Sequence, residues 1–321
     1  MRVLITGAAG YIGQQLLNQL AIQHPQWLLI AADIRPQNRA GMKLNIEPVL
    51  LDISQPAAVE DCMATWQPQA IVHLASVVTP PPGMSEEQLH AIDVGGTQSL
   101  IQAAAAHGVE QLIVTSSGAA YGYDPQNAEW LDEDQPLRGH AQFAYAKHKR
   151  EVEVLLAEAR VQHPQLKQLV LRPGTILGKQ VNNQITELFK KSAVLGIRGS
   201  DSRFVFIWDQ DVLDIICRGL RQQSAGIFNL AGDGALSLKE IAELLGKPYR
   251  ALPAWLIRSA LHVLKPLGLS PYGPEQVDFL RYRPVLSNRR LKQNFGFSPR
   301  YSSREAFLAF LRAQGMHGKH H

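Results

Sequence analysis

The first thirteen residues, Met1-Arg-Val-Leu-Ile-Thr-Gly-Ala-Ala-Gly-Tyr-Ile-Gly13, constrain this chain more than any other stretch, because a short apolar run stops at a glycine and restarts with helical spacing. Val3, Leu4 and Ile5 have the character of a strand buried on both faces of a parallel sheet. Ile12, Leu16, Leu17 and Leu20 then fall on one helical face, so the intervening turn opens into a helix N-terminus, where free N–H groups and the dipole favour phosphate. Gly7 permits the tight turn, Gly10 lets a diphosphate approach, and Gly13 lets the helix pack on the strand. Ala9, Tyr11 and Ile12 complete the expected cradle.

The next apolar run, Trp27 to Ala32, ends in Asp33, 20 residues past Gly13. A dinucleotide-binding unit places there the acid that receives the ribose hydroxyls. A carboxylate repels a 2′-phosphate, so NAD is favoured over NADP, although Arg35 partly offsets the effect. Further runs follow at Val49–Leu51, Ala70–Leu74, Leu112–Thr115 and Leu169–Arg172, with helical patterns at 86–107 and 143–160 between them. This alternation predicts an α/β fold, a Rossmann-type doubly wound parallel sheet. Thr79-Pro-Pro-Pro-Gly83 is read as a loop just past a strand end, near the cofactor.

From Gly174 the alternation loosens, with strands expected at Phe204–Ile207 and Ile227–Leu230 and a capped helix from Ser237 to Leu245. The expected organisation is a cofactor domain over 1–173, a smaller mixed α/β substrate lobe over 174–316 with some segments returning to the first domain, and a flexible tail over 317–321. Pro253–Leu269, apolar on most sides, is read as a buried or subunit-facing helix rather than a membrane-docking one, since its polar face carries few cations.

Net charge is +4 with scattered Lys and Arg, which gives nucleic-acid binding little support. Cys62 and Cys217 share no motif, so neither a disulfide framework nor a metal site is expected. No run approaches the ~18 apolar residues of a membrane span, and no basic leader precedes the first strand; the expected location is the cytoplasm.

Two later stretches carry chemistry. Val114-Thr-Ser-Ser-Gly-Ala-Ala-Tyr-Gly122 ends a strand in hydroxyls, and Tyr145-Ala-Lys-His-Lys149 opens a helix with Tyr and Lys four apart, on one face. An ammonium beside a phenol of reference pKa ~10 stabilises the phenolate and makes it a usable base.

In this order, the glycine turn, the acid, the Ser-Ser strand end and Tyr-x-x-x-Lys resemble the extended short-chain dehydrogenase/reductase family, in its nucleotide-sugar epimerase/dehydratase branch. Asp52-Ile53 is similar to the family's adenine-contacting pair and His73-Leu-Ala-Ser76 to its His-Leu-Ala-Ala strand end; Asp93-Val-Gly-Gly-Thr97 is similar to Asn-Val-x-Gly-Thr. Arg172-Pro-Gly-Thr-Ile-Leu-Gly178, Phe228-Asn-Leu-Ala-Gly232 and Phe295-Gly-Phe-Ser-Pro-Arg300 resemble later landmarks. The resemblance implies Ser117, Tyr145 and Lys149 as the catalytic trio. It implies cofactor contacts at Leu74, Ala75, Ser76, Thr115, Tyr145, Lys149, Arg172, Pro173 and Gly174, and a homodimer through helices 86–107 and 143–160.

Departures cluster where substrate is expected. Asp93 replaces the usual Asn, Thr175 stands where epimerases carry an Asn that contacts the diphosphate, and Trp208 replaces a His in Phe206-Ile-Trp-Asp-Gln-Asp-Val212. With the usual Arg absent upstream, Arg203 or Arg283 is left to hold a diphosphate. Candidate substrate contacts are therefore Thr79, Ser117, Ala119, Thr175, Arg203, Trp208 and Arg283. Gly118 and Ala119 occupy the places of the Asp-Glu pair that dehydration requires. The expectation is an NAD-dependent epimerase of a nucleotide-sugar, ahead of a net reductase or dehydrogenase of a less polar alcohol or ketone, and ahead of a non-catalytic dinucleotide sensor or scaffold.

Overall fold

The computed structural model describes residues 1–267, 269 and 273–316; the tail over 317–321 lies outside them. The apolar runs become β1 (Arg2–Thr6), β2 (Leu28–Asp33), β3 (Ile46–Leu50), β4 (Ala70–His73), β5 (Gln111–Thr115), β6 (Lys167–Pro173) and β7 (Gly226–Leu230). Their order in the sheet is β7-β6-β5-β4-β1-β2-β3, and β1 to β6 pair in parallel. The chain leaves β1 toward one edge and returns at β4 to build toward the other, which makes the β1/β4 boundary a topological switch point, where such sheets bind ligands. Register brings Thr6 level with Ala32 on one side and His73 on the other. The glycine turn, Asp33 and Leu74 therefore leave the sheet at the same edge.

Two compact units form. The first comprises Met1–Ser117, His148–Arg172 and Gln210–Phe228; the second comprises Gly118–Lys147, Pro173–Asp209 and the chain from Asn229 onward. In the first, alternate strand positions Leu4, Ile30, Ile71, Leu112, Val114 and Val170 meet helices Pro56–Trp66, Gly96–Ala106 and Ala144–Gln162 in one cluster. The intervening positions face the other way. Gly219 of helix Asp209–Gln222 seats on Leu169 and Ile113, and Gln19 of helix Tyr11–Gln23 donates to Asp214 at 2.8 Å. Helices thus cover both faces, as two-sided burial of parallel strands requires.

The helical pattern over 86–107 is not a single regular helix. It runs as Glu86–His90, a π turn over Ala91–Gly95, and Gly96–Ala106, with Ser85 and Gln88 forming a capping box at its start. The wide turn falls on Asp93, and such turns in helices are frequent at functional sites. Ala103 and Ala104 are buried in the sheet-facing cluster, so the alanine-rich stretch packs internally.

In the second unit, Phe189, Phe204, Phe206, Phe307 and Phe310 build the core. The strand expected over Phe204–Ile207 is split in two, because Arg203–Phe204 pairs with Leu236–Ser237 while Phe206–Trp208 pairs with Thr175–Leu177. Helix Leu238–Leu245 begins at the expected capping box of Ser237 and Glu240 and ends at Gly246. The two cysteines are free and buried, and burial pushes the Cys62 thiol to about 11 and the Cys217 thiol to about 12.

Helix Ala254–Leu264 corrects the first half of the expectation for Pro253–Leu269, that it is buried within the chain. Only Ile257 is buried on it, and Trp255, Leu256 and Val263 stand exposed. Among the described residues no helix is long and apolar enough to cross a membrane.

Candidate active site

In the first unit the glycine turn is built by close approach. Gly7 has φ +71°, and a Cβ there would lie 2.6 Å from the Ala75 nitrogen; one at Gly13 would lie 2.3 Å from the Gly7 oxygen. A side chain at either position would force the strand, the turn and the β4 exit apart. Gly7 is thereby brought against Leu74 and Ala75, two of the expected cofactor residues. Helix Tyr11–Gln23 starts with no side-chain cap, and its N-terminal dipole faces the turn where an anion is expected.

Asp33 is held beneath this turn. Its carboxylate accepts from the Ala9 amide at 2.9 Å and from the Arg35 amide and Nε at 3.0 and 3.1 Å. Burial works against its charge, but the hydrogen bonds from Arg35 and Ala9 outweigh burial and hold its pKa below the ordinary value. Asp52 accepts from the Ser54 amide and hydroxyl at 2.9 and 2.7 Å, Ile53 is buried against Gly96, and the Ser76 hydroxyl is buried with no hydrogen-bond partner among the described residues. Thr79 is exposed in the irregular segment after β4.

Lys149 lies one residue past the start of the first unit's middle segment. Its ammonium donates to the Thr115 carbonyl at 3.1 Å. Burial pushes its pKa below the usual lysine value, while Asp93 and Glu153 push it back up. Asp93 accepts from the Val77 amide at 3.0 Å and lies 3.5 Å from His148 Nδ1, both side chains being buried. Glu153 accepts from Ser116 Oγ at 2.5 Å and from Arg172 Nε at 2.8 Å. The two serines of the strand end therefore differ: Ser116 belongs to an internal ion-pair network, and Ser117 is half-buried at the tip. Arg172 likewise commits its guanidinium to Glu153. His73 is kept neutral, its pKa pushed to about 3 by burial and by Lys149, and links Thr6 Oγ1 to Thr97 Oγ1 at 2.7 and 3.0 Å.

The second unit holds Ala119, Tyr145, Pro173, Gly174, Thr175, Arg203, Trp208 and Arg283. Tyr145 is half-buried in the first turn of helix Ala144–Gln162. Tyr123, which the sequence reading missed, neighbours it electrostatically; burial raises the Tyr123 pKa, Arg283 lowers it and Tyr145 raises it. The Arg283 guanidinium carbon lies 4.1 Å from the Phe204 ring centre and 4.6 Å from that of Phe279. Its Nη1 is buried without a hydrogen-bond partner among the described residues, an unusual cost unless an anion completes the site. Arg203 is different, being paired with Asp201 at 2.7 Å and Glu129 at 3.0 Å.

Register aligns Thr175 with Phe206 and Leu177 with Trp208. Trp208 is buried with its ring edge-on to Tyr301 at 5.6 Å, so this candidate substrate contact packs in the core. Pro173 ends β6, and the Gly174 amide donates to the Leu230 carbonyl at 2.9 Å. Ala119 is buried in a short 3₁₀ turn, Gly118–Tyr121. Beyond Tyr123, the sequence reading missed Glu153, His148 and His73. His73 stood in the His73-Leu-Ala-Ser76 strand end without a role, and Glu153 had a readable signal in lying four residues after Lys149 on the same helix face. Among the described residues no cluster of metal-ligating side chains occurs.

An uncharacterized protein of Mycobacterium tuberculosis is 24% identical over 317 residues, covering 98% of this chain and 84% of that protein. The dTDP-L-rhamnose 4-epimerase of Burkholderia thailandensis is 29% identical over 160 residues, 46% of this chain and 43% of that enzyme. Among solved structures, the Bordetella bronchiseptica enzyme WbmG in complex with NAD matches with TM-score 0.74 at 18% identity, covering 98% of this chain and 94% of that one. UDP-glucose 4-epimerase of Thermotoga maritima with UDP-glucose matches with TM-score 0.73 at 17% identity, over 98% and 99% of the two chains. At such identities the structural likeness establishes the fold. A model of the NAD dependent epimerase/dehydratase family matches residues 3–231, from the glycine turn through the Ser-Ser strand end and the Tyr-Lys helix, and the chain belongs to that family.

Proposed function

We propose that this chain is an NAD-dependent epimerase of a nucleotide-sugar, with Tyr145 as base. The observation that carries this reading is Arg283, half-buried, whose Nη1 is buried with no hydrogen-bond partner among the described residues, in the same unit as Tyr145 and beside its neighbour Tyr123. A diphosphate supplies the anion such a group requires. The glycine cradle, the uncapped helix start and the carboxylate of Asp33 fit NAD, because a Cβ would fill the first and the third matches ribose hydroxyls rather than a 2′-phosphate.

When bound, NAD supplies the acceptor for hydride from the carbon being oxidised. The chain's own residues move the proton. Ser117 donates a hydrogen bond to the substrate oxygen, the charge of Lys149 stabilises Tyr145 as phenolate, and that phenolate takes the substrate's hydroxyl proton and becomes the neutral phenol. Asp93 and Glu153 favour that charge against burial. Dehydration would need an acid and a base where Gly118 and Ala119 stand. Neither residue carries an acid or a base, so epimerisation is favoured over dehydration.

A second reading, net reduction or oxidation of a less polar substrate, is favoured by the aromatic surroundings of Arg283: Tyr123 meets Phe143 and Phe279 at 4.8 Å each. The test is incubation with NAD and a set of UDP- and dTDP-sugars, with product stereochemistry followed by NMR and reduced nicotinamide by absorbance. Epimer without accumulating NADH is the expected result. Stoichiometric NADH would transfer support to the second reading, and no reaction with any sugar nucleotide would count against the first.

The role of Lys149 makes a pH prediction. Its protonated form binds the ribose and supports the phenolate, so NAD binding should fall as pH rises through a pKa below the usual lysine value. Asp93→Asn keeps an oxygen for the Val77 amide and removes the charge. The alkaline limb should then move to lower pH, read from NAD titrations by fluorescence across the pH range; an unmoved limb would remove Asp93 from this role.

A further inference from the structure

The second unit carries an apolar face that the proposed chemistry does not use. Helix Ala254–Leu264 turns Ile257 inward and exposes Trp255 (70%), Val263 (57%) and Leu256 (41%), and Leu267 just beyond is 65% exposed. At 100° per residue Leu256 and Val263 fall on one stripe flanked by Trp255, and exposed Leu267 follows in the turn after the helix. Such a continuous exposed stripe marks an interaction surface rather than scattered apolar residues.

Its charge is one-sided. Between Glu243 and Glu275 the chain has no Asp or Glu, and it has four Lys or Arg. Two of these are neutralised, Arg258 by Asp278 at 2.9 Å and Lys265 by Glu275 at 3.1 Å. Arg250 is exposed on the strand that leads into the helix, and its parallel partner strand ends in Ile197, followed by exposed Arg198. Neither makes a salt bridge among the described residues. Arg198 and Arg258 also line, with Trp255 and Ser259, an open depression of about 680 Å³ at the start of the helix. Two guanidiniums and an indole therefore sit at one end of the apolar stripe.

We propose that this face docks on an anionic lipid surface, with Trp255, Leu256, Val263 and Leu267 entering the headgroup region while Arg198 and Arg250 meet lipid phosphates. An indole, apolar below and a hydrogen-bond donor at its edge, suits that boundary. Exposed cations add attraction specific to anionic lipid. A protein partner would need a complementary acidic and apolar face; a second copy of this surface would set cation against cation.

The test is co-sedimentation of the full chain with vesicles of phosphatidylglycerol and phosphatidylcholine in equal amounts, and with phosphatidylcholine alone. The expected result is binding to the first, at least tenfold weaker binding to the second, and loss in high salt. Trp255→Ser/Val263→Ser, both exposed, should lower partitioning at least tenfold with unchanged circular dichroism. Arg198→Gln/Arg250→Gln should abolish the lipid preference alone. No sedimentation with either vesicle, or equal sedimentation of the Trp255→Ser/Val263→Ser variant, overturns the proposal. So does concentration-dependent dimerisation in light scattering that this variant abolishes while vesicle binding is absent.

Discussion

Tyr145→Phe is expected to lower turnover of the sugar nucleotide identified as substrate by ~10²- to 10⁴-fold, the usual contribution of a positioned general base. The substitution removes one hydroxyl and keeps the ring, and Tyr145 is half-buried at a helix start, so the fold should persist. Lys149, on the same helix face four residues on, keeps Asp93 and Glu153, which push its pKa up against burial, so NAD affinity should change by no more than a few-fold. Loss of kcat with retained NAD binding, measured by steady-state kinetics and nucleotide titration, separates a catalytic role from a structural one. Undiminished turnover would remove Tyr145 as the base.

Arg172→Met is expected to destabilise the protein by about 3–5 kcal/mol, the cost of leaving one partner of a buried ion pair alone. Arg172 and Glu153 are both buried, with Nε to both carboxylate oxygens at 2.8 and 3.0 Å. Met has similar length and no charge, so the Glu153 carboxylate keeps Ser116 and the field of Lys149 but loses its bidentate partner. The double variant Glu153→Met/Arg172→Met should recover part of the loss, since removing both charges spares their desolvation. Denaturant unfolding of the three proteins reads this directly. A single-variant loss below about 1 kcal/mol, the range of exposed pairs, would show the pair to be solvated.

Much of the fold was legible because each run carried its own period. Val3–Ile5 and Trp27–Ala32 read as buried strands, the glycines between apolar run and helix read as a phosphate turn, and Ser237 with Glu240 read as a helix cap. Each depends on neighbours a few residues away. The π turn at Asp93 was not legible, since Asp-Val-Gly-Gly-Thr has helical spacing throughout, and the close approach of Gly96 to Ile53 just after it is a tertiary contact. Trp208 and Thr175 were grouped by motif position alone, whereas the structure puts the indole on Tyr301 inside an aromatic core. Arg203 and Arg283 were equivalent in sequence. Tertiary contacts gave Arg203 two carboxylates, and gave Arg283 two aromatic rings and a donor with no partner among the described residues.

The sequence by itself determined the parallel sheet, the cradle at Gly7, Gly10 and Gly13, the acid at Asp33, and the pairing of Tyr145 with Lys149 on one helix, because all of these follow from local spacing and backbone sterics. Only the tertiary structure decided which charges are balanced and which faces are covered. Glu153 neutralises Arg172, Asp93 meets His148, and the Trp255 helix turns its apolar stripe outward. These outcomes depend on residues far apart in the chain, and an apolar run of eleven helical residues has the same pattern whether the fold buries it or leaves it in water.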